Sequence, residues 1–284
     1  MGYALQQQLG ERTLQVIQAA VLGSPISHSL SPLLHNHAYS LLNISGTYSA
    51  IDVPEEALLS FISTSLSENW TGFNMTMPLK ERIFDAPNVL LDESATRIKS
   101  ANTLIRKGDA YVGTSTDFTA FERLLQPFPV ERIAIIGGGG TARALLGALS
   151  RRATQVDVLL RSPKRLDLLS TIAPDALLTA IPMDSSLEGY DLVVNTTPSG
   201  VADHLASHLV DANGLLFESL YNPWPTELAF AWSQLGGKVL HGIDLLVEQA
   251  LDAIHLMTEI DFDYSRMREE LLKVALPEVD PQRS

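Results

Sequence analysis

The chain has 284 residues, 45% of them hydrophobic and 19% charged, with a formal net charge of −13. That composition describes an ordinary soluble globular protein with enough chain for a sizeable core and two domains, and its acidity argues against nucleic acid or an anionic membrane as partner. With no cysteine, disulfides, thiol nucleophiles and thiolate metal sites are excluded.

Residues 1–13 are polar and Gln-rich and predict a poorly ordered lead-in. They lack a cationic start followed by an apolar core, and no apolar run reaches the roughly 18 residues of a membrane span, so the expected location is cytoplasmic. Residues 15–22 predict the first strand. In GSPISHSLSPLLHNHAYSLL, Pro25 and Pro32 force turns, and Ser31 and Pro32 suit the N-cap and N1 positions of a helix. Residues 47–53 predict a second strand and 54–66 a helix. GFNMTMPLK, residues 72–80, starts like a strand, and Pro78 suggests an edge or a strand end that presents Lys80 to a cleft. Helix is expected from Glu81. Residues 95–105 and 110–116 predict two strands joined by the Lys107-Gly108-Asp109 turn, with Asp117 at the end of the second. A short helix over 118–125 leads into Pro127 and Pro129, the clearest domain boundary.

Residues 133–143 read IAIIGGGGTAR, followed by apolar residues at helical spacing. A strand buried on both faces, a glycine turn and a helix open a dinucleotide-binding unit. Gly137, Gly139 and Ala142 fit G-x-G-x-x-G/A, and the helix N-terminus would meet a pyrophosphate. Residues 156–160, 191–194, 215–220 and 238–239 predict the remaining strands of a parallel sheet, and an amphipathic helix fills 243–258. At the end of its second strand a NAD-binding unit carries an acid. Here Asp157 lies too early, and Arg161, Ser162, Lys164 and Arg165 stand where a 2′-phosphate would, which predicts NADP.

Hydride transfer to a ketone also needs a proton donor. None of the seven histidines has a metal-ligand spacing with acids, and His204 and His208 predict a surface pair. No metal is expected. Lys80 and Asp117, both expected at strand ends, could form a lysine donor oriented by a carboxylate. On spacing alone the pair is as readily a structural ion pair as a catalytic one.

The ordered motifs SPISHSLSPLLHN, NMTMPLK, SANT, STD, GGGGTAR, YNPWP and the late Gln249 resemble the shikimate dehydrogenases over roughly residues 18 to 260. SANT and YNPWPT are spelled as in actinobacterial members. The resemblance implies two α/β domains, a substrate domain of residues 14–117 and 240–284 and a Rossmann domain of residues 118–239. It implies NADP-dependent, reversible reduction of 3-dehydroshikimate to shikimate in chorismate biosynthesis, by a monomer or homodimer acting on a small molecule. Lys80 matches the catalytic lysine and Asp117 its partner. Ser29 and Ser31 match serines that hold the shikimate carboxylate, and Thr76, Asn102, Tyr221 and Gln249 match other substrate contacts. Gly137, Gly138, Gly139, Gly140, Thr141 and Arg143 match the cofactor turn, Arg161 and Ser162 the 2′-phosphate clamp, and Asn195, Thr196 and Gly242 further cofactor contacts.

The chain also departs from the pattern. Ser115 and Phe118 flank Thr116-Asp117 where the family usually writes Asn and Gly, Leu160 replaces the clamp asparagine, and Glu248 stands where histidine is common. A quinate or dual quinate/shikimate dehydrogenase is the nearest alternative, with Ser31 and Arg161 favouring shikimate. A weakly catalytic ligand-binding member is the other, on the strength of Ser115 and Phe118.

Overall fold

The computed structural model describes residues 16–280. The expected lead-in over residues 1–13 lies outside them. The first half of the chain supplies strands β1 (Ile17–Gly23), β2 (Gly46–Asp52), β3 (Gly72–Met75), β4 (Val89–Leu91), β5 (Thr103–Lys107) and β6 (Ala110–Thr114). They form one mixed sheet in the order β2-β1-β3-β5-β6-β4. Its helices are α1 (Ser31–Leu41), α2 (Leu58–Ser65), α3 (Leu79–Arg82) and α4 (Glu93–Ile98), and α5 (Thr116–Leu125) leads out of it.

The second half supplies β7 (Arg132–Ile136), β8 (Gln155–Leu159), β9 (Leu177–Ile181), β10 (Leu192–Asn195), β11 (Leu215–Glu218) and β12 (Lys238–His241). Their order is β12-β11-β10-β7-β8-β9, and every pair is parallel. This is the doubly wound order, with its switch point between β7 and β10, where ligands bind at the carboxyl ends of the strands. Ile133, Ile135 and Ile136 of β7 are fully buried, each contributing about 1.5–3 kcal/mol of hydrophobic stabilisation. Helices α6 (Gly140–Leu149), α7 (Leu166–Ile172), α8 (Asp203–Ala206) and α9 (Glu227–Gln234) belong to this half. The last two, α10 (Gly242–Thr258) and α11 (Tyr264–Val279), return to the first half, where Ile243, Val247, Ala250 and Leu271 pack on Leu34 and Ala38 of α1.

Four local expectations need correction. Residues 95–98 are helical: Asp92 Oδ1 accepts from Ala95 N at 2.8 Å and caps α4, and Lys99 closes it in the left-handed region. Ser31 is the first helical residue, and Leu30, without a side-chain bond, is the N-cap. Lys80 lies on α3 rather than at a strand end, because β3 is an interior strand that stops at Met75 and the chain turns at Pro78. Asp117 lies in the first turn of α5, which Ser115 caps by accepting from Phe118 N at 3.3 Å.

Candidate active site

A cleft of about 270 Å³ lies between the carboxyl ends of the two sheets. Its walls include Ser29, Ser31, Thr76, Lys80, Asn102, Asp117, Thr141, Thr196, Tyr221, Gly242 and Gln249, eleven residues expected from the sequence. Lys80 Nζ donates to Asp117 Oδ2 at 2.6 Å, and the two side chains are 17% and 6% exposed. Lys80 therefore still reaches the cleft while its partner is held beneath it.

The carboxylate is fixed from behind. Asn102 Nδ2 donates to Asp117 Oδ1 at 3.0 Å and to Thr116 Oγ1 at 2.9 Å, while Asn102 Oδ1 accepts from Thr116 N at 2.7 Å. The network continues through Thr103 Oγ1, 3.0 Å from Thr116 Oγ1, to Asn74 Nδ2 at 2.9 Å, and Tyr48 Oη donates to Asn74 Oδ1 at 2.7 Å. Buried and mutually satisfied, it holds the dyad in one geometry. Tyr48 and Thr103 were not legible as site residues, because strand pairing brings them there from distant segments. Gln249 Oε1 reaches Thr116 Oγ1 at 3.4 Å from α10. Burial pushes the Tyr221 phenol above its ordinary pKa, partly offset by hydrogen bonds with the Leu30 backbone and the Ser29 side chain. Tyr221 and Ser29 thus lie together on the cleft wall.

On the other wall, Gly137 has φ +103, and a Cβ there would stand 2.7 Å from Thr196 Oγ1. Only glycine permits both the conformation and the approach. A Cβ on Gly138 would meet Leu160 at 3.0 Å and Arg165 at 3.5 Å, and on Gly140 it would meet Ser100 Oγ at 2.7 Å. At Gly139 the nearest neighbour is 4.0 Å away, so its backbone is open at the start of α6. Arg161 and Ser162 are exposed beyond β8. Asp157 is buried within β8 and accepts from Tyr190 Oη at 2.7 Å, out of reach of a ribose. An open glycine backbone at a helix start, a basic turn and no ribose-facing acid fit a dinucleotide carrying a 2′-phosphate.

Two expected cofactor residues are engaged by the protein itself. Asn195 is 2% exposed and absent from the cleft wall. Its Nδ2 donates to Glu218 Oε2 at 2.9 Å and its Oδ1 accepts from Thr197 N at 3.1 Å, so it holds the turn from below. Arg143 reaches over the seam, donating to Glu81 Oε2 and to Lys99 O, both at 2.8 Å. Of the departures noted in the sequence, Leu160 stands against Gly138 of the glycine turn, and the other three lie outside the cleft. Ser115 is a helix cap, Phe118 packs on Gly147, and Glu248 accepts from Arg123 and Arg268 at 2.8 and 2.7 Å, joining α5, α10 and α11. Among the described residues, no helix is long and apolar enough to cross a membrane, and no cluster of His, Asp and Glu could hold a metal.

Known proteins resemble this chain in sequence and in fold. The family model of the shikimate dehydrogenase substrate binding domain matches residues 21–104. The "Shikimate dehydrogenase (NADP(+))" of Maridesulfovibrio salexigens is 30% identical over 263 residues, covering 89% of this chain and 95% of the relative. The crystal structure of Mycobacterium tuberculosis shikimate dehydrogenase superposes with a TM-score of 0.81 at 28% identity, covering 90% of this chain and 99% of that one. The Thermus thermophilus enzyme, solved in complex with NADP(H) and shikimate, gives 0.78 at 30% identity, with 91% and 100% covered.

Proposed function

We propose that this chain, which belongs to the shikimate dehydrogenase family, catalyses the reversible NADP-dependent reduction of 3-dehydroshikimate to shikimate. The observation that carries the reading is the Lys80–Asp117 pair, 2.6 Å apart on the cleft wall that faces the glycine turn. Bound NADPH supplies a hydride to the ketone carbon. As the carbonyl oxygen gains charge, the Lys80 ammonium stabilises it and donates a proton. Asp117 aims that ammonium, and Asn102 prevents the carboxylate from rotating. In the reverse direction, Lys80 takes the proton back from the hydroxyl.

Ser29 and Ser31 are assigned to the substrate carboxylate, beside the N-terminal end of α1, whose partial positive charge favours an anion. Thr76, Asn102, Tyr221 and Gln249 are assigned to the ring substituents. Gly137 to Gly140 and Thr141 would hold the pyrophosphate, Arg161 and Ser162 the 2′-phosphate, and Thr196 with Gly242 the nicotinamide end. In this reading residues 14–117 and 240–284 bind substrate and 118–239 bind cofactor. The protein acts on its small-molecule substrate in the cytoplasm, as a monomer or homodimer.

The test is initial nicotinamide reduction at 340 nm with shikimate or quinate crossed against NADP or NAD. Dominance of the shikimate–NADP pair supports the assignment. Faster rates with quinate would move the chain to the quinate branch, and silence in all four would refute it as an enzyme of this class.

A further inference from the structure

Arg143 has a donor that nothing in the reaction uses. Its Nη2 and Nη1 are taken by Glu81 Oε2 and Lys99 O, but its Nε is buried without a partner among the described residues. The residue is only 6% exposed. Burial lowers its pKa, the Glu81 charge opposes that, and nearby Arg165 adds to it. A buried guanidinium with a spare N–H, one helical turn from an open glycine backbone, is arranged for a multiply charged oxyanion.

Glu81 already stands where such an anion would go. A Cβ built on Gly139 meets a single neighbour within 4 Å, Glu81 Oε1 at 4.0 Å. A carboxylate therefore faces the start of α6, the place where dinucleotide folds receive a pyrophosphate. Two anions cannot share one guanidinium and one helix terminus without repulsion. The Glu81 side chain is 38% exposed, which leaves it a route into water.

We propose that Glu81 sets the affinity for the cofactor's pyrophosphate by competing with it for Arg143 and the N-terminus of α6. Glu81 holds Arg143 across the seam between the two halves of the chain, and a bound pyrophosphate takes its place while the carboxylate turns outward. No covalent bond changes. The inference rests on the assignment of this turn to NADP.

The experiment is calorimetric titration of NADP, and of adenosine 2′-monophosphate, into wild type, Glu81→Gln and Glu81→Asp without substrate. The smaller ligand keeps the adenine and 2′-phosphate but lacks the pyrophosphate. Glu81→Gln is expected to bind NADP about fivefold more tightly, the effect of one unit charge removed about 4 Å away at high dielectric. Its affinity for adenosine 2′-monophosphate should not change. Glu81→Asp, with a shorter reach, should fall between wild type and Glu81→Gln. Arg143→Gln should weaken NADP about tenfold and spare the smaller ligand. Equal NADP affinities in wild type and Glu81→Gln would overturn the proposal. So would equal tightening of both ligands, the signature of lowered overall acidity. A wild type that binds neither ligand refutes the NADP assignment itself, whereas one that binds both alongside an indifferent Glu81→Gln refutes only the competition.

Discussion

The ring of Phe118 lies against Gly147 at the junction of α5 and α6. A Cβ on Gly147 would stand 3.1 and 3.2 Å from Phe118 Cδ2 and Cε2, and 2.5 Å from Ile98 Cγ2. Arg97 closes the junction from α4, with its guanidinium carbon 5.1 Å from the ring centroid and its Nη2 donating to Gly147 O at 3.1 Å. An aromatic residue and a glycine on the facing helix thus fill one seam together. Phe118→Gly would empty the seam and place a glycine inside a helix, and is expected to lose about 3 kcal/mol of stability. Gly147→Ala should lose about 1–3 kcal/mol by overpacking. Urea unfolding with an unchanged m-value would read both losses, and a neutral Phe118→Gly would show that the ring is incidental.

The dyad makes a second prediction. Asp117 accepts on both oxygens, from Lys80 at Oδ2 and from Asn102 at Oδ1. In Asp117→Asn the amide keeps the shape, but one of its two ends must face a donor with a donor. The lysine also loses its counter-charge. A fall in kcat of about 10²- to 10⁴-fold is expected, the range for loss of a positioned proton donor. Lys80→Ala should fall at least as far. Shikimate binding, measured separately by calorimetry, should weaken far less than kcat, and a matching loss of both would reassign the pair to binding.

The contrast between these residues shows what a linear sequence can carry. The glycine turn was legible because strand, turn and helix are contiguous and each shows its own period. Lys80 and Asp117 were legible as a candidate pair, yet both were expected at strand ends and both lie on helices. Helix α3 has four residues and α4 has six, too few for a periodic pattern to stand out. Asp92 was the available signal for α4, a capping acid before a short run, whereas residues 95–105 were read as one strand leading into the Lys107-Gly108-Asp109 turn. Asn195 was assigned to the cofactor from its turn, but its direction is set by Glu218, which β11 brings alongside. Likewise Glu81 and Arg143 meet only when the two halves of the chain face each other.

Arg161 yields a prediction about cofactor choice. It is exposed just beyond β8, and no acid at that turn could accept a ribose hydroxyl. One charge-assisted hydrogen-bond pair to a phosphate is worth about 1.5–3 kcal/mol, so Arg161→Gln should raise the KM for NADP about ten- to a hundredfold. The KM for NAD should stay within about twofold, because that cofactor offers the arginine no phosphate. The ratio of kcat/KM for the two cofactors is the measurement. An equal loss with both would place Arg161 in the structure of the turn and not in recognition of the 2′-phosphate.

His35 gives the pH dependence its clearest single contribution. Its ring stacks on Tyr48 with centroids 3.8 Å apart, the residue is fully buried, and neither ring nitrogen has a partner among the described residues. Burial pushes its pKa down to about 3 from the ordinary 6.5. In the unfolded chain the imidazole takes up a proton near pH 6.5, whereas in the folded chain it stays neutral until about pH 3. The unfolded state therefore binds more protons between those values, and stability present above pH 6.5 is lost as the pH falls through that window. One pH unit inside it corresponds to about 1.4 kcal/mol. His35→Phe keeps a ring against Tyr48 and removes the titration. Relative to wild type, the variant should gain about 2 kcal/mol between pH 8 and pH 5, read from urea midpoints at the two values. At pH 8 it should already match or exceed wild type, since two unsatisfied ring nitrogens leave the core. A stability difference that stays constant from pH 8 to pH 5 would mean that the folded protein admits the proton, and with it water, beside Tyr48.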